Sequence, residues 1–147
     1  MVATIHFNHL RVNDFEKYAD ALRAAAEAAL SVDPDPIGEL SITFVTDETI
    51  ANYNSRYLQR EGPTDVISFR LGDQPAVGDV YISAETALAN ARRFGIPVIE
   101  ELLRLVIHGT LHVLGHDHPE DDSREQSAMF ELQESLLERL LKDLPQG

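Results

Sequence analysis

At 147 residues with 44% hydrophobic content, the chain is long enough to bury one core, and a single domain spanning 1–147 is expected. It contains no cysteine, which excludes disulfides and thiolate ligands, so any bound metal must use histidine or carboxylate. A formal net charge of −13 weighs against nucleic acid as a partner unless positive charge is gathered locally.

The first residues, Met1 to Phe7, lack the basic region and apolar core of a signal peptide, and no apolar run approaches the ~18 residues of a membrane span. A cytoplasmic protein is therefore expected. Ala3 to Phe7 reads as a short strand. Asp14 to Leu30 reads as a helix with Asp14 as its cap, because Phe15, Tyr18, Leu22 and Ala26 fall on one stripe. Asp33 to Pro36 is a loop, and Leu40 to Val45 a strand. Thr46 or Asp47 can cap a helix reaching about Tyr57, and Gly62-Pro63 is a turn. Thr64 to Phe69 is rich in strand formers, Gly72 to Gly78 reads as a loop, and Asp79 to Ile82 as a strand. Ser83 can cap a helix to Phe94, with Gly95 as its stop. Pro97 opens a further helix that ends at Gly115. Pro119 starts the last one, with Glu120, Asp121 and Asp122 in its first turn and Leu132, Leu136, Leu137 and Leu140 as its buried stripe. The order β-α-β-α-β-β-α-α-α points to an α+β fold: a small four-stranded mixed sheet packed with about five helices.

The chemistry is concentrated at the end of the penultimate helix, where His108-Gly-Thr-Leu-His112-Val-Leu-Gly115-His116-Asp117-His118 holds four of the six histidines. His108 and His112 are spaced i, i+4, which turns through roughly 400° and rises about 6 Å, so both rings leave one face of the helix and can share a metal ion. Gly115 ends the helix and lets the chain return with a third imidazole. His116 and His118 compete for that place. The spacing H-x-x-x-H-x-x-G-x-x-H selects His118, and Pro119 biases it toward extended backbone. Three imidazoles plus one open position is the plan of a catalytic zinc site, so one Zn2+ per chain on His108, His112 and His118 is expected. Zinc peptidases place a glutamate general base directly after the first histidine, whereas this chain has Gly109 there. Zinc lowers the pKa of a bound water to about 7, so hydrolysis remains available without it.

Other residues have two readings each. Asp117 can orient a ligand imidazole or cap the last helix. Ser68 lies on a strand that could border the zinc cleft and meet substrate, or be ordinary half-exposed surface. Arg56, Arg60 and Arg70 can contact phosphate or be solvated charge. Between Asn52 and Arg70 there are three arginines against two acids, while Asp117 to Asp143 carries nine acids against three bases, so the negative charge is concentrated elsewhere. Arg92-Arg93 reads as compensation of a helix dipole. His6 and His9 read as surface residues.

These residues resemble a known family. The run from His108 to His118 closely matches the signature of the YbeY-type endoribonucleases, bacterial rRNA maturation factors. Asn54 to Phe69 (N-S-R-Y-L-Q-R-E-G-P-T-D-V-I-S-F) and Gly78 to Ser83 (G-D-V-Y-I-S) resemble two further family segments in the same order and spacing. The resemblance covers nearly the whole chain. It implies zinc on His108, His112 and His118, cleavage of single-stranded RNA, maturation of the 3′ end of 16S rRNA and ribosome quality control. It also implies the small ribosomal subunit and its assembly GTPase as partners. The family commonly has arginine directly after the tyrosine of the second segment, where this chain has Leu58; Arg56 or Arg60 is the candidate replacement. His116 stands where the family often has tyrosine.

The expectation is thus a zinc-dependent endoribonuclease with Asp117, Arg56 and Arg60 as catalytic candidates and Ser68 and Arg70 as substrate contacts. An assembly factor with a structural, four-ligand zinc and a zinc hydrolase of peptides or amides are the alternatives.

Overall fold

A computed structural model of the chain describes residues 3–33, 37–72, 75–115 and 123–144. Four strands form one mixed sheet: β1 (Thr4–Asn8), β2 (Ile37–Val45), β3 (Val66–Leu71) and β4 (Ala76–Ser83), in the order β1-β2-β4-β3. β1, β2 and β4 run parallel, while β3 pairs antiparallel with β4 and ends the sheet. Five α-helices occur among the described residues: α1 (Ala19–Leu30), α2 (Asp47–Leu58), α3 (Ala84–Phe94), α4 (Val98–Val113) and α5 (Ser123–Asp143). The α+β class and the small mixed sheet agree with the sequence.

The capping chemistry read from the sequence is present at two helices. Thr46 accepts from the Thr49 amide at 3.1 Å, and Ser83 accepts from the Thr86 amide at 3.1 Å. Gly95 ends α3 in the left-handed region at φ 66°. Asp14 is a correction. It is itself left-handed, at φ 61°, so it cannot take the extended backbone of a cap, and the chain enters α1 through a 3-10 turn over Glu16–Tyr18. The cause is tertiary: Phe15 is drawn into the core, edge-on to Phe44 with ring centroids 5.3 Å apart.

Two strands begin earlier than expected, for a shared reason. Ile37 pairs with Ala76, Glu39 with Val77 and Leu40 with Gly78 across β2 and β4, with a register shift between Ile37 and Glu39. Ala76, Val77 and Gly78, read as loop, are therefore strand. β3 likewise runs on to Arg70 and Leu71, which pair with Gly78 and Val77.

Strand alternation gives the sheet two distinct faces. Leu40, Ile42 and Phe44 of β2 and Val80 and Ile82 of β4 enter the main core, where α4 lies with α1, α3 and α5 around it. Ile67 and Phe69 of β3 and Tyr81 of β4 form a smaller cluster with Ile50 and Tyr53 of α2. Thus α2 covers the face opposite α4. Close approach of α4 to the sheet needs two glycines. A Cβ on Gly109 would fall 2.6 Å from Val80 Cγ1, and one on Gly78 would fall 2.6 Å from Val113 Cγ1.

No helix among the described residues is long and apolar enough to cross a membrane.

Candidate metal centre

α4 is buried on almost every side. Between Glu101 and Val113 only Arg104, His108 and His112 are half-buried; every other residue in that stretch is buried. Their i, i+4, i+8 spacing makes one stripe, and α5 packs along it. The sequence therefore places both histidines on the one accessible face of a core helix.

The two rings meet at their Nε2 atoms, 3.2 Å apart, with ring centroids separated by 4.7 Å. Two tetrahedral nitrogen ligands at zinc distances lie about 3.3 Å from each other, so the pair fits a shared divalent metal. The tautomer fits as well. His108 Nδ1 lies 2.6 Å from Gln133 Oε1, an acceptor only, so Nδ1 carries the hydrogen and Nε2 presents its lone pair. Gln133 is held in that orientation because its amide nitrogen donates to Glu134 Oε2 at 3.0 Å.

The chain of partners continues. Glu134 receives two bonds from the Arg104 guanidinium, Nε to Oε2 at 2.9 Å and Nη2 to Oε1 at 3.1 Å. Arg104 also donates to Glu101 at 2.8 Å and to Glu100 at 3.2 Å, and Asn90 of α3 closes the network on Glu101 at 3.1 Å. Burial alone would raise the Glu134 carboxyl, but the hydrogen bonds from Arg104 and Gln133 hold it below the usual carboxylate range. Burial works against the charge on Arg104 too, and its carboxylate partners more than compensate, keeping it cationic.

Ser68 and Arg70 of β3 both point at α4. Ser68 Oγ donates to Gly109 O at 2.8 Å, beside His108, and Arg70 Nη1 donates to Val113 O at 3.0 Å, beside His112. Arg70 thereby covers a terminal carbonyl of the helix with a positive charge. Arg56 is not brought to this stripe, since it belongs to α2 on the other face of the sheet. Arg60 follows the left-handed Gln59, in the segment leading from α2 into β3. His116, Asp117 and His118 lie outside the described residues, as does the expected helix start at Pro119.

Gly109 has a further consequence. The residue after the first histidine faces β3 and β4, with Val80, Val66 and Ser68 all within 3.2 Å of a Cβ built there. A glutamate at that position would be driven into the sheet and away from the histidine face.

Sequence reasoning missed Gln133. Its signal was a glutamine on the apolar stripe of the last helix, where Met129, Gln133, Leu136 and Leu137 are all buried. Its partner, 25 residues earlier on another helix, could not be read from spacing.

Fold and site together define an α+β protein whose central helix presents two converging imidazoles on its one accessible face. Comparison with known proteins refines this class. Residues 4–141 match the family model described as Endoribonuclease YbeY. The Endoribonuclease YbeY of Aquifex aeolicus is 38% identical over 129 residues, covering 85% of each chain. That of Syntrophus aciditrophicus is 43% identical over 114 residues, covering 73% of this chain and 71% of its own. The solution structure of TM1509 from Thermotoga maritima superposes with a TM-score of 0.61 at 27% identity, over 97% of this chain and 91% of that one. The chain belongs to the YbeY endoribonuclease family.

Proposed function

We propose that this protein is a metal-dependent endoribonuclease of single-stranded RNA, acting as one domain over 1–147. The supporting observation is the pair of Nε2 atoms converging to 3.2 Å, with the tautomer of His108 set by Gln133. We assign the metal as zinc, one per chain, held by His108, His112 and His118. Bound there, it supplies Lewis acidity toward a phosphodiester oxygen.

The chain's own groups do the rest. Gln133 keeps the Nδ1 proton of His108 in place, so Nε2 stays a ligand lone pair. Arg70, beside His112, contacts a phosphate flanking the scissile one. Arg60 is the candidate cation that stabilises the extra negative charge at phosphorus. Ser68 spends its proton on Gly109 O, so its oxygen can meet substrate only as an acceptor. Asp117 orients a ligand imidazole or moves a proton. A peptidase reading is disfavoured because position 109 has no room for the glutamate base. Cellular work on the 3′ end of 16S rRNA in the cytoplasm, with the small ribosomal subunit and an assembly GTPase as partners, is part of the same proposal.

The test is cleavage of matched single- and double-stranded RNAs by metal-loaded protein, with a peptide panel alongside and His112→Ala as control. Single-strand cleavage lost in the variant supports the assignment. Peptide turnover without RNA turnover, even when ribosomes are supplied, overturns it.

A further inference from the structure

We infer that the sheet face opposite the histidine helix binds one unstacked nucleotide of a single-stranded RNA, with the base among Tyr53, Tyr57, Phe69 and Tyr81 and its phosphate at Arg56. This rests on the ribonuclease reading and adds a subsite to it. The four rings form a closed circuit. Tyr53 and Tyr57 are 6.0 Å apart, Tyr57 and Phe69 5.7 Å, Phe69 and Tyr81 6.1 Å, and Tyr81 and Tyr53 4.9 Å, each pair tilted or edge-on. They line an open cavity of about 320 Å³ together with Leu71 and Asp79. Tyr57 is 56% exposed and Leu71 62%, so the apolar contents of the cavity stand at the surface.

The chemistry of the rim favours a nucleobase over a purely apolar partner. Three hydroxyl-bearing rings and one carboxylate surround the cavity, and Tyr81 donates to Asp79 Oδ2 at 2.7 Å. That bond fixes the carboxylate as an acceptor for a base amino group, while the ring faces supply stacking surface that tolerates any base. A second cavity of about 430 Å³, lined by Thr49, Asn52, Tyr53, Ser55 and Arg56, shares Tyr53 with the first. α2 builds both, because Tyr53 and Tyr57 form one i, i+4 stripe and Asn52 and Arg56 the neighbouring one. Among the described residues, no ion pair or side-chain hydrogen bond occupies the Arg56 guanidinium, so it stands available to an anion in a chain of net charge −13. An aromatic cavity adjoining an arginine-bearing polar one matches the two halves of a nucleotide.

The sheet edge links this site to the histidines. β3 ends the sheet, and its side chains alternate: Ser68 and Arg70 toward α4, Phe69 and Leu71 toward the aromatic cavity. A single extended strand can pass round that edge and touch both faces. A rigid duplex cannot, which gives a physical reason for single-strand preference.

The chain has no tryptophan, and three of its four tyrosines line the cavity, so tyrosine emission reports on it. The probe is a 2′-O-methylated dodecacytidine, whose bases carry the amino group that Asp79 would accept from, checked intact on a gel afterwards, with a duplex of equal absorbance correcting for inner-filter loss. We expect saturable quenching beyond that correction. By anisotropy of a labelled oligonucleotide, Tyr57→Ala should bind about tenfold more weakly. Arg56→Ala, on an exposed residue that does not endanger folding, should bind several-fold more weakly with a flatter salt dependence. Both should raise KM in RNA cleavage more than they lower kcat, while Phe94→Ala, an exposed ring elsewhere, should bind as wild type. Wild-type affinity and KM in both variants of an active ribonuclease would overturn the subsite alone. Absence of RNA cleavage by the wild type would instead remove the underlying reading. Loss of self-association in Tyr57→Ala, with no RNA quenching in wild type, would assign the cavity to a second copy of the chain and overturn the inference.

Discussion

Replacing Gln133 with leucine isolates the support given to the proposed metal ligand. Gln133 is only 5% exposed, so water cannot readily replace its carbonyl at 2.6 Å from His108 Nδ1. The substitution leaves a partly buried ring N–H without its acceptor and removes the donor to Glu134. In metal-free protein this should cost about 1–3 kcal/mol of unfolding free energy. With metal, a second loss is added. Removing the hydrogen-bond partner of a ligand imidazole lowers metal affinity by about 10–100-fold, or about 1.4–2.7 kcal/mol. Because metal bound to the folded state stabilises it, the rise in Tm on adding saturating zinc should shrink by about 5–10 °C relative to wild type. Gln133→Glu keeps an acceptor and should hold affinity near wild type. Competition against a chromophoric chelator gives the affinities, and calorimetry with and without metal gives the shifts. A folded Gln133→Leu protein with wild-type zinc affinity and an undiminished thermal shift would refute the role assigned to this bond.

Gly109→Ala should destabilise by about 1–3 kcal/mol in urea unfolding, since the new methyl meets Val80 at 2.6 Å and helix and sheet must part; wild-type stability would show that α4 sits less tightly than described. His118→Ala should abolish tight zinc binding measured by elemental analysis, while His116→Ala retains it; the reverse pattern would reassign the third ligand. For Glu134 the folded pKa is lowered, so its contribution is present above the ordinary carboxylate value and is lost as pH falls through the depressed folded value. Glu134→Gln should therefore be less stable than wild type at neutral pH, with the gap narrowing on acidification; a gap independent of pH would exclude the ion pair with Arg104 as its source.

Much of the site was legible because it is local. The common face of an i, i+4 histidine pair followed by a glycine stop follows from helix geometry alone, and the structure brings the two Nε2 atoms together on that face. Thr46 and Ser83 were legible as caps because a cap bonds an amide three residues on. Asp14 misled the same reasoning, because burial of Phe15 overrode the local signal. The early starts of β2 and β4 were invisible because neither segment looks like a strand until it meets the other.

By itself, then, the sequence determined the α+β class, the helix that carries the histidines, their common face and the family, since these depend on periodicity, backbone preference and motif spacing over a few residues. Tertiary structure alone decided which groups stand around that face. Gln133 reaches His108 across 25 positions, Ser68 reaches Gly109 across 41 and Arg70 reaches Val113 across 43. It also placed Arg56 and the aromatic rings on the opposite face, because side chains alternate along β3 and only the pairing of β3 with β4 sets which alternate set meets α4.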